Sequence, residues 1–165
     1  MIVNPCGQQT DPSVAIGLDI DESRVKPYLM DTGLMISLAF GNDKRMMNEV
    51  YDSLLMGKLS INEGMFFENM VSQELTSIGY KTIFCEFRIK GKTHSYEVDF
   101  LLPGLNKLSP VEVKPSVSSK HASLDNFCEK YGSRVERPII IHSKDLRTSG
   151  RYLYIPIYMT ALLRT

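Results

Sequence analysis

EVDFLLPGLNKLSPVEVK, residues 97–114, decides the fold, because its apolar and charged residues alternate on both sides of a turn. In the first run, SYEVDFLL (95–102), Tyr96, Val98, Phe100 and Leu102 fall on one face and Glu97 and Asp99 on the other. In the second, Val111 and Val113 alternate with Glu112 and Lys114. A period of two marks strands, and PGLNK between them carries the Pro, Gly and Asn of a turn. The charges therefore stand on a sheet and not in a solvated loop. Pro110 falls near the start of its strand, where a missing amide is tolerable.

Working upstream, KTIFCEFRIK (81–90) places Ile83, Cys85, Phe87 and Ile89 on one face, and GKTH turns into the next run. Connections of hairpin length predict an antiparallel three-stranded meander. The stretch before it, SINEGMFFENMVSQELTSIGY (60–80), has a helical period. Ser60 and Glu63 form an S-x-x-E capping box, Phe67, Met70, Val71, Leu75 and Ile78 form the apolar stripe, and Gly79 closes the helix. Glu68 lies at the margin of that stripe. Residues 43–58 predict another helix on Met46, Val50, Leu54 and Leu55, ended by Gly57. KPYLMDTGLMISLAFG (26–41) predicts an extended piece and then a small helix. Residues 1–25, with Pro5, Gly7, Pro12 and Gly17, read as a loop or extended arm.

Downstream, SSKHASLDNFCEKYG (118–132) predicts a helix capped by Ser118 or Ser119, with Leu124, Phe127 and Cys128 turned inward. RPIIIHS (137–143) predicts a buried strand, and YLYIPIYM (152–159) another, at an edge because of Pro156. The order of helix, three strands, helix, strand and strand gives an α/β (α+β mixed sheet) fold with a helix crossing over to a later strand.

Composition sets outer bounds. The chain has 165 residues, 43% of them apolar, enough for one domain with its own core. Its 19 basic and 19 acidic residues give no gross attraction to nucleic acid. Residues 114–165, however, hold 9 Lys/Arg against 4 Asp/Glu, a locally basic third suited to phosphates. Cys6, Cys85 and Cys128 are odd in number and widely spaced, without the pairing of a disulfide framework or zinc site. There is no signal-peptide pattern and no apolar run of membrane-spanning length, so a cytoplasmic setting is expected. His94, His121 and His142 are isolated, without metal-ligand spacing.

The chemistry rests on Asp99, Glu112 and Lys114. With the two strands in register, Asp99 comes opposite Glu112, and two close carboxylates repel unless a positive group lies between them. Two readings follow from spacing alone. One is a hard divalent cation, Mg²⁺ or Mn²⁺, held by both carboxylates and the Val113 carbonyl, with Lys114 orienting or deprotonating a water for attack on a phosphodiester. The other is a cross-strand salt bridge from Asp99 or Glu97 to Lys114.

Asp99 followed by Glu112-Val113-Lys114, after a helix bearing Glu68, resembles the PD-(D/E)XK nuclease superfamily. The ordered series KPYLMDTGLM, NEGMFFENMVSQEL, YEVDFLL, PVEVKPS and SLDNFCEKYG resembles the C-terminal domain attached to many prokaryotic AAA-type P-loop ATPases. That resemblance spans roughly residues 26 to 163. It implies a restriction-endonuclease-like core of helix, three-strand meander, helix and strand over residues 26–165, with 1–25 as the junction to an ATPase part. It further implies that Asp99 and Glu112 are metal ligands with Val113 and Glu68 in support, that Lys114 is the catalytic lysine, and that Glu68, Asp99, Glu112 and Lys114 form a complete quartet. Val98 stands where the superfamily's name has Pro. DNA is the implied partner, with Lys120, Lys130 and Arg134 as candidate phosphate contacts. No G-x-x-x-x-G-K-[ST] occurs, so the ATPase itself is not in this chain. A non-catalytic module that binds nucleic acid or protein and couples to the ATPase is the alternative.

Overall fold

A computed structural model of the chain describes residues 2–13, 15–41, 44–56, 63–115 and 121–163. Two mixed sheets are built around the stretch that the sequence singles out. The chain enters as β1 (Val3–Gln9) and β2 (Ile20–Leu29), then α1 (Thr32–Phe40), α2 (Lys44–Leu55) and α3 (Glu63–Ser77). β3 (Ile83–Arg88), β4 (Ser95–Val98), β5 (Phe100–Pro103) and β6 (Leu108–Val113) follow, and α4 (Ala122–Tyr131) crosses to β7 (Ile139–His142). β8 (Arg147–Ser149) and β9 (Tyr152–Pro156) complete the strands, and a short 3₁₀ helix, Ile157–Leu162, packs back on α3.

The expected meander is present in pairing but divided. β3 pairs antiparallel with β4, and β5 pairs antiparallel with β6. The continuous strand predicted over 95–102 breaks at Asp99, so β4 closes the first sheet (β2-β1-β3-β4) and β5 opens the second (β5-β6-β7-β9-β8). The crossover holds as expected: α4 connects β6 to a parallel β7, and β9 is parallel to β7 in turn.

Residues 3–9 and 20–25, expected within a loop or arm, are corrected to strand, while 10–13 and 15–19 form the loop between them. β1 and β2 form a hairpin with a bulge between Gly7 and Gln8, and β1 pairs parallel with β3. Proline and glycine hide these strands from a periodicity reading. Gly7 has a packing cause: a Cβ there would come within 2.9 Å of the Ile20 side chain. β9 is not an edge strand, because β8, an exposed polar strand without apolar alternation, covers its outer side. Pro156 instead ends β9 where the chain turns into the 3₁₀ helix.

Two apolar clusters sandwich the second sheet, one on each face. Val71 and Leu75 of α3 pack on Phe100, Val111, Val113, Ile139, Ile141 and Ile155. Leu124 and Phe127 of α4 pack on Leu101, Leu108, Ile140 and Tyr154, and on Ile83, Cys85, Phe87 and Val98 of the first sheet. The alternation that the sequence shows is thus used on both faces. The stripe of α3 is rotated from expectation. Phe66 and Asn69 are buried with Val71, Ser72 and Leu75, whereas Met70 is exposed and Phe67 and Ile78 only flank the core. The Gly57 stop and the Ser60, Ser118 and Ser119 caps lie outside the described residues.

Candidate active site

The break at Asp99 places the acidic residues. Phe100 is opposite Val111, so Asp99 falls beside Glu112, and its Oδ2 accepts a hydrogen bond of 2.7 Å from the Val113 amide. That bond continues the ladder by side chain where the backbone has left it. Loss of water around the Asp99 carboxyl, then the charge of Glu68, raise it to about 8. The Val113 amide and Lys26 pull the other way, and Glu112 adds to the rise. Glu68 and Glu112, the other carboxylates predicted from sequence, thus both bear on Asp99.

Glu112 is 5% exposed. Lys114 Nζ lies 2.6 Å from its Oε1, while Oε2 is buried without a hydrogen-bond partner among the described residues. A buried carboxylate oxygen left without a donor is costly. Lys114 keeps about a third of its side chain in solvent and can reach a substrate at the surface. The pairing differs from the cross-strand salt bridge weighed above: Lys114 pairs along its own strand with Glu112, while Glu97 pairs with Lys26.

Lys26 and Tyr28, both on β2, are site residues that the motif reading did not pick out. The Tyr28 hydroxyl donates to Glu68 Oε2 at 2.8 Å, and Lys26 Nζ stands 3.8 Å from the same oxygen. Burial would lower the Lys26 ammonium, but Glu97 and Glu68 hold it above its ordinary value. Burial and the Glu68 charge push the Tyr28 phenol far up, so it stays a donor. The signal was available in KPY, where a lysine and a tyrosine share one face of an extended piece, but their partners are 40 or more residues away.

Asn69 fixes β2 against α3. Its Oδ1 accepts from the Leu29 amide at 2.7 Å, and its Nδ2 donates to the Leu29 carbonyl at 3.1 Å and to Thr32 Oγ1 at 2.9 Å. The residue is 1% exposed. Asn69→Ala is expected to lower unfolding free energy by about 1–3 kcal/mol, the cost of leaving such groups unpaired. Urea denaturation followed by circular dichroism measures it.

The predicted phosphate contacts are not gathered here. Lys130, at the other end of α4 from His121, donates to the Arg88 carbonyl at 3.0 Å and stacks over Tyr131. Arg134 follows α4, half-buried, with its Nε unpaired. Lys120 lies outside the described residues. Of the three histidines, His121 is beside the site: its Nε2 meets the Tyr154 hydroxyl at 3.0 Å and it feels the charge of Glu112.

Among the described residues no three His, Cys, Asp or Glu side chains form a ready-made metal cage. The donor set still fits Mg²⁺ or Mn²⁺, which take one or two carboxylates and complete their shell with water and substrate phosphate. Asp99, held next to other acids, and Glu112, with one oxygen unpaired, are oxygen donors of that kind.

Comparison with known proteins gives one match. A family model described as a domain of unknown function (DUF4143) matches residues 63–160, more than half of the chain and all of the segment from α3 to β9. No curated protein and no solved structure matches.

Proposed function

The chain belongs to this family, and we propose that it is a divalent-metal-dependent phosphodiesterase acting on DNA. The observation that carries the reading is Asp99 beside Glu112 in strand register where one strand passes between two sheets, with Lys114 against Glu112 and the charge of Glu68 felt at Asp99. With Glu68 on α3, these residues match the quartet of the PD-(D/E)XK pattern, and that match supports the reading.

Asp99, Glu112 and the Val113 carbonyl would hold the ion, with Glu68 in support. Bound there, the ion offsets charge on the scissile phosphate and its leaving oxygen. Lys114, as the ammonium paired with Glu112, orients the attacking water and faces the developing negative charge, and the water's proton passes to a phosphate oxygen or to solvent. The ordered motifs from KPYLMDTGLM to SLDNFCEKYG support a partnership with an AAA-type ATPase part, whose restoration is expected to raise cleavage.

Incubation with supercoiled plasmid and Mn²⁺ or Mg²⁺ tests the reading. Slow, sequence-tolerant nicking is expected, abolished by EDTA, with Mn²⁺ the more effective ion. Plasmid binding or ATPase stimulation without any nicking, by the chain alone or with the ATPase part, would favour the binding-module alternative instead.

A further inference from the structure

We propose that Lys26 is a built-in counter-ion of the carboxylate pocket, occupying in the metal-free protein the charge that a divalent ion takes over. The inference rests on the phosphodiesterase reading for the metal site, and adds an element outside the family-matched segment 63–160.

The geometry is specific. Lys26 Nζ forms an ion pair with Glu97 and stands 3.8 Å from Glu68 Oε2. It also lies 5.1 Å from the centre of the Phe84 ring, which confines the side chain from beside. Tyr28, two residues on and so on the same strand face, holds Glu68 through the same Oε2. One strand thus supplies both a hydrogen bond that orients Glu68 and a cation that offsets its charge. Asp99 feels both Lys26 and Glu68.

Such a cation cannot be neutral toward a second one. A divalent ion held by Asp99 and Glu112 would repel the Lys26 ammonium, while Glu68, a carboxylate in support of that ion, is already partly offset by Lys26. Lys26 therefore stabilises the pocket without metal and weakens metal binding by the same interaction, a coupling that is reciprocal by linkage. Because Lys26 has Glu97 as its main partner, it can remain paired on that side when a metal occupies the other.

Calorimetric titration of the whole chain with Mn²⁺ at one pH tests this, with wild type, Lys26→Gln and Lys26→Arg measured together. Lys26→Gln is expected to bind Mn²⁺ about ten-fold more tightly, within the 5–150-fold span usual for coupled sites, while melting lower in EDTA. Lys26→Arg is expected to match wild type. A purely structural lysine predicts a lower melting temperature with Mn²⁺ affinity unchanged or weakened, and that result overturns the proposal. Glu97→Gln gives the opposite sign and serves if Lys26→Gln does not fold. With its main partner gone, Lys26 bears wholly on Glu68 and Asp99, so Mn²⁺ should bind more weakly, and unchanged affinity again overturns the idea. Wild type that binds no Mn²⁺ overturns both the counter-ion and the metal site beneath it, whereas normal wild-type binding with unresponsive variants removes only the counter-ion.

Discussion

Lys114→Ala is expected to lower Mn²⁺-dependent plasmid nicking by about 10²–10³-fold, the scale of losing one charge-stabilising group. The substitution also has a structural signature that separates it from simple damage. Lys114 is the partner of Glu112 Oε1, and Glu112 Oε2 has none among the described residues, so alanine leaves a buried carboxylate with both oxygens unpaired among them. The metal-free protein should then lose about 1–3 kcal/mol, tempered by the solvent that reaches Lys114. Mn²⁺, by binding the carboxylates that alanine has left without a cation, should restore more stability to the variant than it adds to wild type. Melting curves in EDTA and in Mn²⁺, beside the nicking assay, read both effects. Nicking that persists unchanged in the variant comes from another nuclease and ends the assignment.

Asp99→Asn is expected to raise metal-free stability at pH 8 to 9 while removing the response to Mn²⁺. The folded protein holds the Asp99 carboxyl at about 8, against about 4 for an ordinary aspartate. A raised carboxyl means that the folded chain binds more protons than the unfolded chain between those values. Its stabilising contribution is complete below about pH 4, and is lost as pH rises through about 8. Asparagine keeps the shape and can still accept from the Val113 amide, but has no such dependence. Wild type in EDTA should thus lose stability across pH 4 to 8 relative to the variant, which ends more stable by about 0.5–2 kcal/mol at the alkaline side. Mn²⁺ affinity should fall by more than about a hundred-fold, since even outer-shell partners of a metal contribute 10–100-fold. A variant less stable than wild type at pH 8 to 9, with its Mn²⁺ response intact, would leave Asp99 as a structural residue.

The placement of Asp99 beside Glu112 was legible because strand alternation fixes register. Once 97–102 and 108–113 are strands joined by a short turn, Asp99 must fall beside Glu112 and Lys114 must share a face with Glu112. Glu68 came from a different signal, its position on a helix of period 3.6. The division of 95–103 between two sheets was not legible, since Val98, Asp99 and Phe100 alternate just as an unbroken strand would. β1 and the first half of β2 were hidden for another reason. Pro5, Gly7, Pro12 and Gly17 suppress the local pattern, and the hairpin is held by β3 and α3, which are far away in sequence. The extended piece from Lys26 was read correctly, but the partners of Lys26 and Tyr28 are too distant in sequence to be seen from it. Val71 and Leu75 of the α3 stripe are buried as expected, but Phe66 and Asn69 take the places read for Phe67 and Met70, because Asn69 is buried for its hydrogen bonds to β2, which hydrophobicity does not report.

The passage of one strand between two sheets at Asp99 also restricts how the gene can change length. Val98 and Phe100 are both fully buried, but Val98 packs with Phe87 and Leu124, and Phe100 with Val71 and Ile139. An inserted or deleted residue here would shift every later side chain of β5 to the opposite face, exchanging partners between two separate cores while moving the carboxylate off the Val113 amide. The turns at 89–94 and 104–107 carry no such double constraint and can lengthen freely. Single-residue insertion libraries should therefore show a sharp intolerance at 98–100, flanked on both sides by turns that accept added residues.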